Sequence, residues 1–326
     1  MCGIAAVFAR ESSINGTIII SLWEEAKKRG TDGFGWIKLN RNGTMSSKKY
    51  KGIPDFHLAL DDLNGLKQGE LLLSICRAAP ETESEVLDEF LDRTVQPIIL
   101  SEQKIAVIHN GAVSNKIVSE LKKEYEFQTD IDSEAIAWAY LKFGKDMQKT
   151  MSYLSGGFAF LLVDWEKWCL YAVSTHNPLY SGYSRGNGLY FSSSEDGVLS
   201  AISKSKGIDV CKNGLCVWED YYSHRLPEYN ITKYDLDSGM MNDFPFSPRY
   251  ITSTYDPIER KNNDTPIVLV SASGGLDSST TLAVLKAAEM NPVAVHFNYS
   301  SRATEAEAVA IKEVTKLLDI PLYKFD

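Results

Sequence analysis

An apolar run from Ile267 to Ala272 breaks at Ser273-Gly274-Gly275-Leu276-Asp277-Ser278 and gives way to a helical pattern over Ser278 to Met290. A second strand pattern covers Pro292 to Tyr299, a second helix Thr304 to Leu318, and a third strand Pro321 to Phe325. Strands alternating with helices demand crossover connections, which predicts a parallel sheet with helices packed on it. The turn between the first strand and its helix is built for an anion. Paired glycines let backbone approach a phosphate, the N–H groups of the first helical turn face it, and serine hydroxyls add donors. Ser271, Ser273, Gly274, Gly275, Asp277, Ser278 and Ser279 are the candidate residues of that cradle. It lacks the Gly-Lys-Ser ending that handles a terminal phosphate, so simple nucleoside-triphosphate hydrolysis is not what it predicts.

The chain ahead of this segment has a different character. Short strand patterns recur at Cys2 to Phe8, Leu71 to Cys76, Lys104 to His109, Phe158 to Asp164, Trp168 to Ser174 and Gly188 to Ser192, with helical periodicity at Ile18 to Arg29 and Ser133 to Phe143. Such a mixture predicts an α+β layered structure. From Tyr229 to Asn263 the pattern decays into Pro, Asn, Asp and Ser and reads as a connection. With 326 residues available, two domains are expected: 1–245, a linker over 246–264, and 265–326.

A net charge of −9 argues against a broad basic surface for nucleic acid, since phosphate binding needs clustered Lys and Arg. A local basic groove is compatible with it. The sequence has no long apolar span and no basic leader, and the expected location is the cytoplasm, with no membrane partner. Five cysteines, at 2, 76, 169, 211 and 216, are too irregular for a disulfide framework. Cys211 and Cys216 flank an Asn-Gly hairpin signal; they read as two small strand residues, with a disulfide or half a metal site as the alternative.

Met1-Cys2-Gly3-Ile4 carries the second chemistry. Removal of Met1 would give Cys2 a thiol beside its own α-amine, whose ordinary pKa of about 8 suits a base. Further along come Arg29-Gly30-Thr31-Asp32-Gly33-Phe34-Gly35, Arg77 at a strand end, His109-Asn110-Gly111-Ala112-Val113-Ser114-Asn115, Asp132-Ser133-Glu134, Asn177-Pro178-Leu179-Tyr180 and Ser193-Ser194-Glu195. In this order they resemble the class II, N-terminal-nucleophile glutamine amidotransferases, with an αββα sandwich fold. The resemblance implies that Cys2 attacks the glutamine amide, that Asn110 and Gly111 form the oxyanion hole, that Arg77 pairs with the glutamine carboxylate and that Asp132 holds its amino group. It also departs from the family: Ile75-Cys76-Arg77 replaces a His-Thr-Arg form, and His176 stands where a basic, glycine-rich turn is common. Cys76 reads as a buried neighbour rather than a second nucleophile, and His109 as a strand-end residue with a structural partner rather than a general acid.

Ser273 to Ser278 resembles the SGGxDS loop of the ATP pyrophosphatases, the PP-loop family, which implies ATP and transfer of AMP to a substrate oxygen. Phe297-Asn298-Tyr299-Ser300-Ser301-Arg302, followed by Glu305 and Glu307, is similar to the F-[DN]-Y-G-Q-R segment of the QueC family, with Ser300-Ser301 replacing Gly-Gln. The layout also resembles asparagine synthetase. These resemblances imply ammonia passing by an internal route to an acceptor activated by ATP, a 7-deazaguanine or, alternatively, aspartate, with nucleic acid entering only as a modified acceptor. Mg²⁺ is expected beside the phosphates. The PP-loop region is shorter than the family domain, which implies a truncated domain or another polypeptide that completes it. Zinc is expected only if a missing C-terminal segment or partner supplies ligands.

Overall fold

The computed structural model describes residues 1–79, 90–207, 220–247, 267–297 and 304–325. The Cys211–Cys216 hairpin and Asn298 to Arg302 lie outside them. The chain divides into two compact units, Met1–Pro248 and Arg249–Asp326.

In the first unit the elements run β1 (Gly3–Phe8), α1 (Gly16–Lys27), β2 (Gly33–Asn40), β3 (Met45–Lys51), α2 (Phe56–Leu63), β4 (Glu70–Arg77), α3 (Leu91–Thr94), β5 (Ile98–Leu100) and β6 (Ile105–Val113). They continue with α4 (Asn115–Leu121), α5 (Glu134–Lys142), α6 (Met147–Tyr153), β7 (Gly156–Asp164), β8 (Cys169–Ser174), β9 (Tyr180–Ser184), β10 (Gly188–Ser192), α7 (Glu195–Lys206), β11 (Tyr221–Arg225), β12 (Asn230–Asp235) and β13 (Met241–Pro245). They form a seven-stranded sheet ordered β11-β9-β10-β1-β4-β2-β3 and a six-stranded sheet ordered β13-β12-β8-β7-β6-β5.

Residue alternation explains the layering. Ile4, Ala6 and Phe8 of β1, Leu71, Leu73 and Ile75 of β4, and Leu189 and Phe191 of β10 form one buried core with Ala106 and Ile108 of β6 and Leu161 and Val163 of β7. That core joins the two sheets face to face. The opposite face of the first sheet, with Val7, Phe34, Trp36 and Leu72, packs on Leu22, Trp23 and Ala26 of α1, Phe56 of α2 and Ile202 of α7. The opposite face of the second sheet, with Ile105, Val107, Phe160 and Leu162, packs on Ile117 of α4, Ile136 and Tyr140 of α5 and Met151 of α6. Helices cover both outer faces, so the unit is the αββα sandwich. With both faces buried, strands such as β4 read as near-continuous apolar runs, which is why period-two alternation is faint in the sequence.

Two expectations shift in this unit. The stretch from Tyr229 read as a connection begins instead with β12 and β13, which pair as a hairpin. Every residue of β13 is exposed, so this edge strand carries no apolar alternation to read. The strand expected to stop at His109 runs on to Val113, pairing with β7 as far as Gly156.

In the second unit β14 (Ile267–Ser271), α8 (Leu276–Ala287), β15 (Asn291–Phe297), α9 (Thr304–Leu318) and β16 (Leu322–Phe325) form a parallel sheet ordered β14-β15-β16. Ala272, Leu282, Ala294, Ile311 and Ile320 are its small buried core. The expected helix opening at Ser278 starts two residues earlier, because Gly275 already serves as the N-cap position.

Candidate active site

Cys2 immediately precedes β1, which lies between β10 and β4 in the first sheet. It is 5% exposed and ends the row Phe8, Ala6, Ile4 that lines the intersheet core. Its Sγ lies 3.8 Å from the Ala78 carbonyl oxygen, and Arg29 Nε donates to the Cys2 carbonyl at 3.3 Å. Ser193 fixes the strand from the other side: its Oγ accepts from the Ile4 N–H at 2.9 Å, and its own N–H donates to the Ile4 carbonyl at 3.1 Å. Ser194 caps α7 by accepting from Gly197 N–H at 3.2 Å. The Ser-Ser-Glu landmark is thereby divided between holding β1 and starting a helix.

Arg77 is the last residue of β4, 1% exposed and in register with Gly33. Its carbonyl accepts from Asp32 N–H at 2.9 Å, while Asp32 Oδ2 accepts from Ala79 N–H at 2.7 Å. The Arg29–Gly35 segment is thus a latch on the strand end that carries Arg77. Cys76, one residue earlier, points to the opposite face, where its Sγ lies 3.9 Å from the Trp23 carbonyl. Burial pushes its thiol pKa well up, and the neighbouring Cys2 adds to the effect. A thiol held protonated against α1 is a packing group, not an attacking one.

Asn110 continues the inward row Ala106, Ile108 of β6, the same core that holds Cys2. It is fully buried, and neither its Oδ1 nor its Nδ2 has a hydrogen-bond partner. An amide left in this state costs about 1–3 kcal/mol unless a ligand satisfies it. Its carbonyl accepts from Asn177 Nδ2 at 2.7 Å. Gly111 has φ +136°, and a Cβ there would lie 2.2 Å from the Gly157 carbonyl oxygen and 2.6 Å from Asn177 Nδ2. Only glycine fits, and its backbone is set at an angle that side chains avoid.

Asp132 Oδ2 accepts from Val113 N–H at 2.7 Å, which ties it to the end of the strand bearing Asn110 and Gly111. His109 faces away, its Nδ1 2.8 Å from Ser133 Oγ and its ring edge-on to Phe158. Glu134 is buried in a structural net, accepting from Gln128 N–H, Thr129 N–H, Thr129 Oγ1 and Trp138 Nε1. Gln96 went unrecognised in the sequence. Its amide grips His109 on both sides, Nε2 donating to the carbonyl at 3.0 Å and Oε1 accepting from the N–H at 2.7 Å. Gly35 makes room for it, since a Cβ would sit 2.0 Å from the Gln96 carbonyl oxygen. No pattern in Thr94-Val95-Gln96-Pro97 announces this contact; Asn177 had a motif signal, but not one for bracing Asn110.

In the second unit, the Ser273–Ser279 turn joins β14 to α8. Gly274 has φ +82°, and a Cβ there would lie 2.6 Å from Ile311 N and 2.7 Å from Ala310 Cβ. The loop is therefore pressed against α9. Ser273 Oγ accepts from Gly275 N–H at 3.4 Å, and Ser278 Oγ donates to the Gly275 carbonyl at 3.2 Å. Ser279 Oγ is buried without a hydrogen-bond partner, Asp277 is exposed in the first turn of α8, and Ser271 closes β14. A glycine-lined turn with an unsatisfied hydroxyl at a helix N-terminus fits a polyphosphate, and Asp277 supplies a carboxylate suited to a bound divalent cation. Arg302 lies outside the described residues, and Glu307 is half-buried on α9. Among the described residues no cluster of three or more His, Cys, Asp or Glu side chains could hold a metal, and no helix is long and apolar enough to cross a membrane.

Comparison with known proteins divides at the same place. Residues 86–200 match the family described as glutamine amidotransferase domain, and residues 267–326 match the family of queuosine biosynthesis protein QueC. The chain is 26% identical over 317 residues to 7-cyano-7-deazaguanine synthase 2 of Sulfurisphaera tokodaii, covering 94% of this chain and 60% of that protein. It is 28% identical over 200 residues to asparagine synthetase [glutamine-hydrolyzing] 3 of Arabidopsis thaliana, covering 58% of this chain and 32% of that protein. Among solved structures, the glutamine phosphoribosylpyrophosphate amidotransferase of B. subtilis aligns with a TM-score of 0.55 at 18% identity, covering 99% of this chain and 65% of that one, which is a likeness of fold. The chain thus joins an αββα unit that contains a match to the glutamine amidotransferase domain to a segment that matches QueC, and it spans about three fifths of the length of the deazaguanine synthases it matches.

Proposed function

We propose that this chain hydrolyses glutamine at Cys2 and supplies the ammonia to a 7-deazaguanine-type acceptor activated by ATP in the C-terminal unit. What carries the acceptor reading is the QueC match over residues 267–326, behind an amidotransferase domain in one chain. What supports the glutaminase is the fully buried, unsatisfied Asn110 amide, on the core row facing that of Cys2.

Removal of Met1 exposes the α-amine of Cys2, which takes the thiol proton as the sulfur adds to the glutamine amide carbon. The developing oxyanion receives hydrogen bonds from Asn110 Nδ2 and Gly111 N–H, an interaction that strengthens only as charge builds. The same amine returns its proton to the departing ammonia, and water then hydrolyses the thioester. Arg77 and Asp132 hold the carboxylate and amino ends of glutamine. Ser273 to Ser279 bind the ATP phosphates, with Asp277 as a ligand for Mg²⁺. Adenylation of the acceptor oxygen gives the leaving group that ammonia displaces.

A second reading, with aspartate as acceptor, is favoured by the likeness to asparagine synthetases. Ammonia release from glutamine by the mature protein and by Cys2→Ala, with ATP and either 7-carboxy-7-deazaguanine or aspartate, tests both. The expected result is loss of release in Cys2→Ala and ATP consumption with the deazaguanine alone. Release that survives the substitution, or an intact mass retaining Met1 in active protein, overturns the nucleophile.

A further inference from the structure

Asp132 and Ser133 stand at the root of α5, and both reach back to β6, the strand that carries Asn110 and Gly111. Asp132 Oδ2 accepts from Val113 N–H at 2.7 Å, which fixes one carboxylate oxygen. Earlier on the same strand, His109 Nδ1 lies 2.8 Å from Ser133 Oγ. Side chains alternate along a strand, so His109 turns towards the α5 side, edge-on to Phe158, while Asn110 continues the row that faces the intersheet core.

Ser133 forgoes a helix cap to make this contact. It occupies the N-cap position of α5, where a serine hydroxyl ordinarily accepts from a helix N–H, yet its side chain makes no such bond, and its φ of −55° and ψ of −27° are already helical. Ser194, also followed by glutamate at a helix start, does cap, accepting from Gly197 N–H at 3.2 Å. What Ser133 has instead is a buried bond to a residue held in place, since Gln96 grips the His109 backbone on both sides. His109 Nδ1 is 4.0 Å from Asp132 Oδ1, too far for a hydrogen bond, so the histidine reaches Asp132 through Ser133.

We propose that His109 is a positioning residue for the amino end of glutamine: through Ser133 it holds the first turn of α5 so that the Asp132 carboxylate, fixed on its other side by Val113, meets the α-ammonium group. This rests on the reading of Asp132 as the group that receives that ammonium. The oxyanion donors are insulated from the contact, because Gln96 clamps the backbone next to Asn110 whatever side chain residue 109 carries. Loosening Ser133 therefore weakens recognition at one end of the substrate and leaves Asn110 and Gly111 where they are.

Ammonia release by the mature full chain tests this for the wild type, Ser133→Ala, His109→Leu and His109→Asn, with glutamine and with 4-carbamoylbutanoate, which is glutamine without its α-amine. Leucine fills the space beside Phe158 but offers Ser133 no partner; asparagine keeps a polar atom near the Nδ1 position. In Ser133→Ala and His109→Leu the KM for glutamine should rise about tenfold, as for one charge-assisted hydrogen bond, with kcat little changed, and kcat/KM for the amine-free substrate should stay at the wild-type value. His109→Asn should recover most of the loss. An unchanged KM, equal falls with both substrates, or a fall in kcat in place of a rise in KM overturns the role, since a contact that only supports the strand does not distinguish the substrates. Ser133→Ala removes a single oxygen and carries the comparison if thermal midpoints show the His109 forms to be unfolded. A wild type with no preference for glutamine over the amine-free substrate overturns the assignment of Asp132, and the inference with it; a wild type that releases no ammonia from glutamine overturns the glutaminase itself.

Discussion

The Asn177 side-chain amide donates to the backbone carbonyl of Asn110 at 2.7 Å, and the same nitrogen lies 3.4 Å from the Gly157 carbonyl. The peptide that links Asn110 to Gly111 is therefore held from the Asn177 loop, while Gln96 clamps His109 one residue upstream. An oxyanion hole functions only if its donors are fixed before the charge appears. This bracing would give the proposed Asn110–Gly111 oxyanion hole that fixity.

Asn177→Ala should lower glutaminase kcat about tenfold with little change in KM, because the brace acts on the proposed transition-state donors and not on the proposed contacts to the substrate ends. Asn110→Ala should cost more, about a hundredfold to a thousandfold, the loss typical of one oxyanion donor. Steady-state ammonia release checks both. An unchanged kcat in Asn177→Ala would show that the strand holds the peptide without it.

Gly111→Ala should be worse than either for the fold. The added Cβ meets backbone at 2.2 Å, and φ +136° is closed to alanine. Strain alone amounts to about 1–3 kcal/mol, and relief requires β6 to separate from β7. A fall in thermal midpoint together with lost glutaminase is expected; a stable, active variant would show that this stretch of β6 is not rigid.

How much of this was legible follows from where the forces act. The βαβαβ order of the C-terminal unit could be read because each crossover is local, and the observed α9 spans the expected Thr304 to Leu318. Cys2, Arg77, Asn110, Gly111 and Asp132 could be named as candidates because a family resemblance supplies positions. What fixes them could not. Gln96 meets His109 across 13 residues and Asn177 meets Asn110 across 67, and neither contact leaves a period or motif in the chain. The exposed β13 was hidden for the opposite reason: an edge strand with no buried side chain has no apolar pattern, and Asp243 is satisfied by Asn230 and Thr232 on its partner.

The two thiols nearest the site should separate cleanly. Iodoacetamide on the native mature protein should label Cys2 and abolish glutaminase, leaving Cys76 unlabelled until denaturation, since burial holds its thiol protonated. Cys76→Ala should keep glutaminase within a few-fold and lose about 1 kcal/mol of stability from the vacated volume. Peptide mapping that finds Cys76 alkylated in the folded state would contradict its placement against Trp23.

A pH dependence follows from His224 in β11. Burial lowers its pKa, with Asp243 acting weakly in the opposite direction. The folded form resists the proton that the unfolded chain accepts at its ordinary pKa of about 6.5. Between the two values the unfolded state binds more protons, so stability rises with pH through that window. Above the unfolded pKa His224 contributes no pH dependence; as pH falls below it, stability is lost until the folded form is protonated too. Urea midpoints at about pH 7.5 and about pH 5.5 should therefore differ more for wild type than for His224→Asn, which has no proton to bind in this range. Equal differences for the two proteins would mean that the ring of His224 takes up its proton as readily in the sheet as in the open chain.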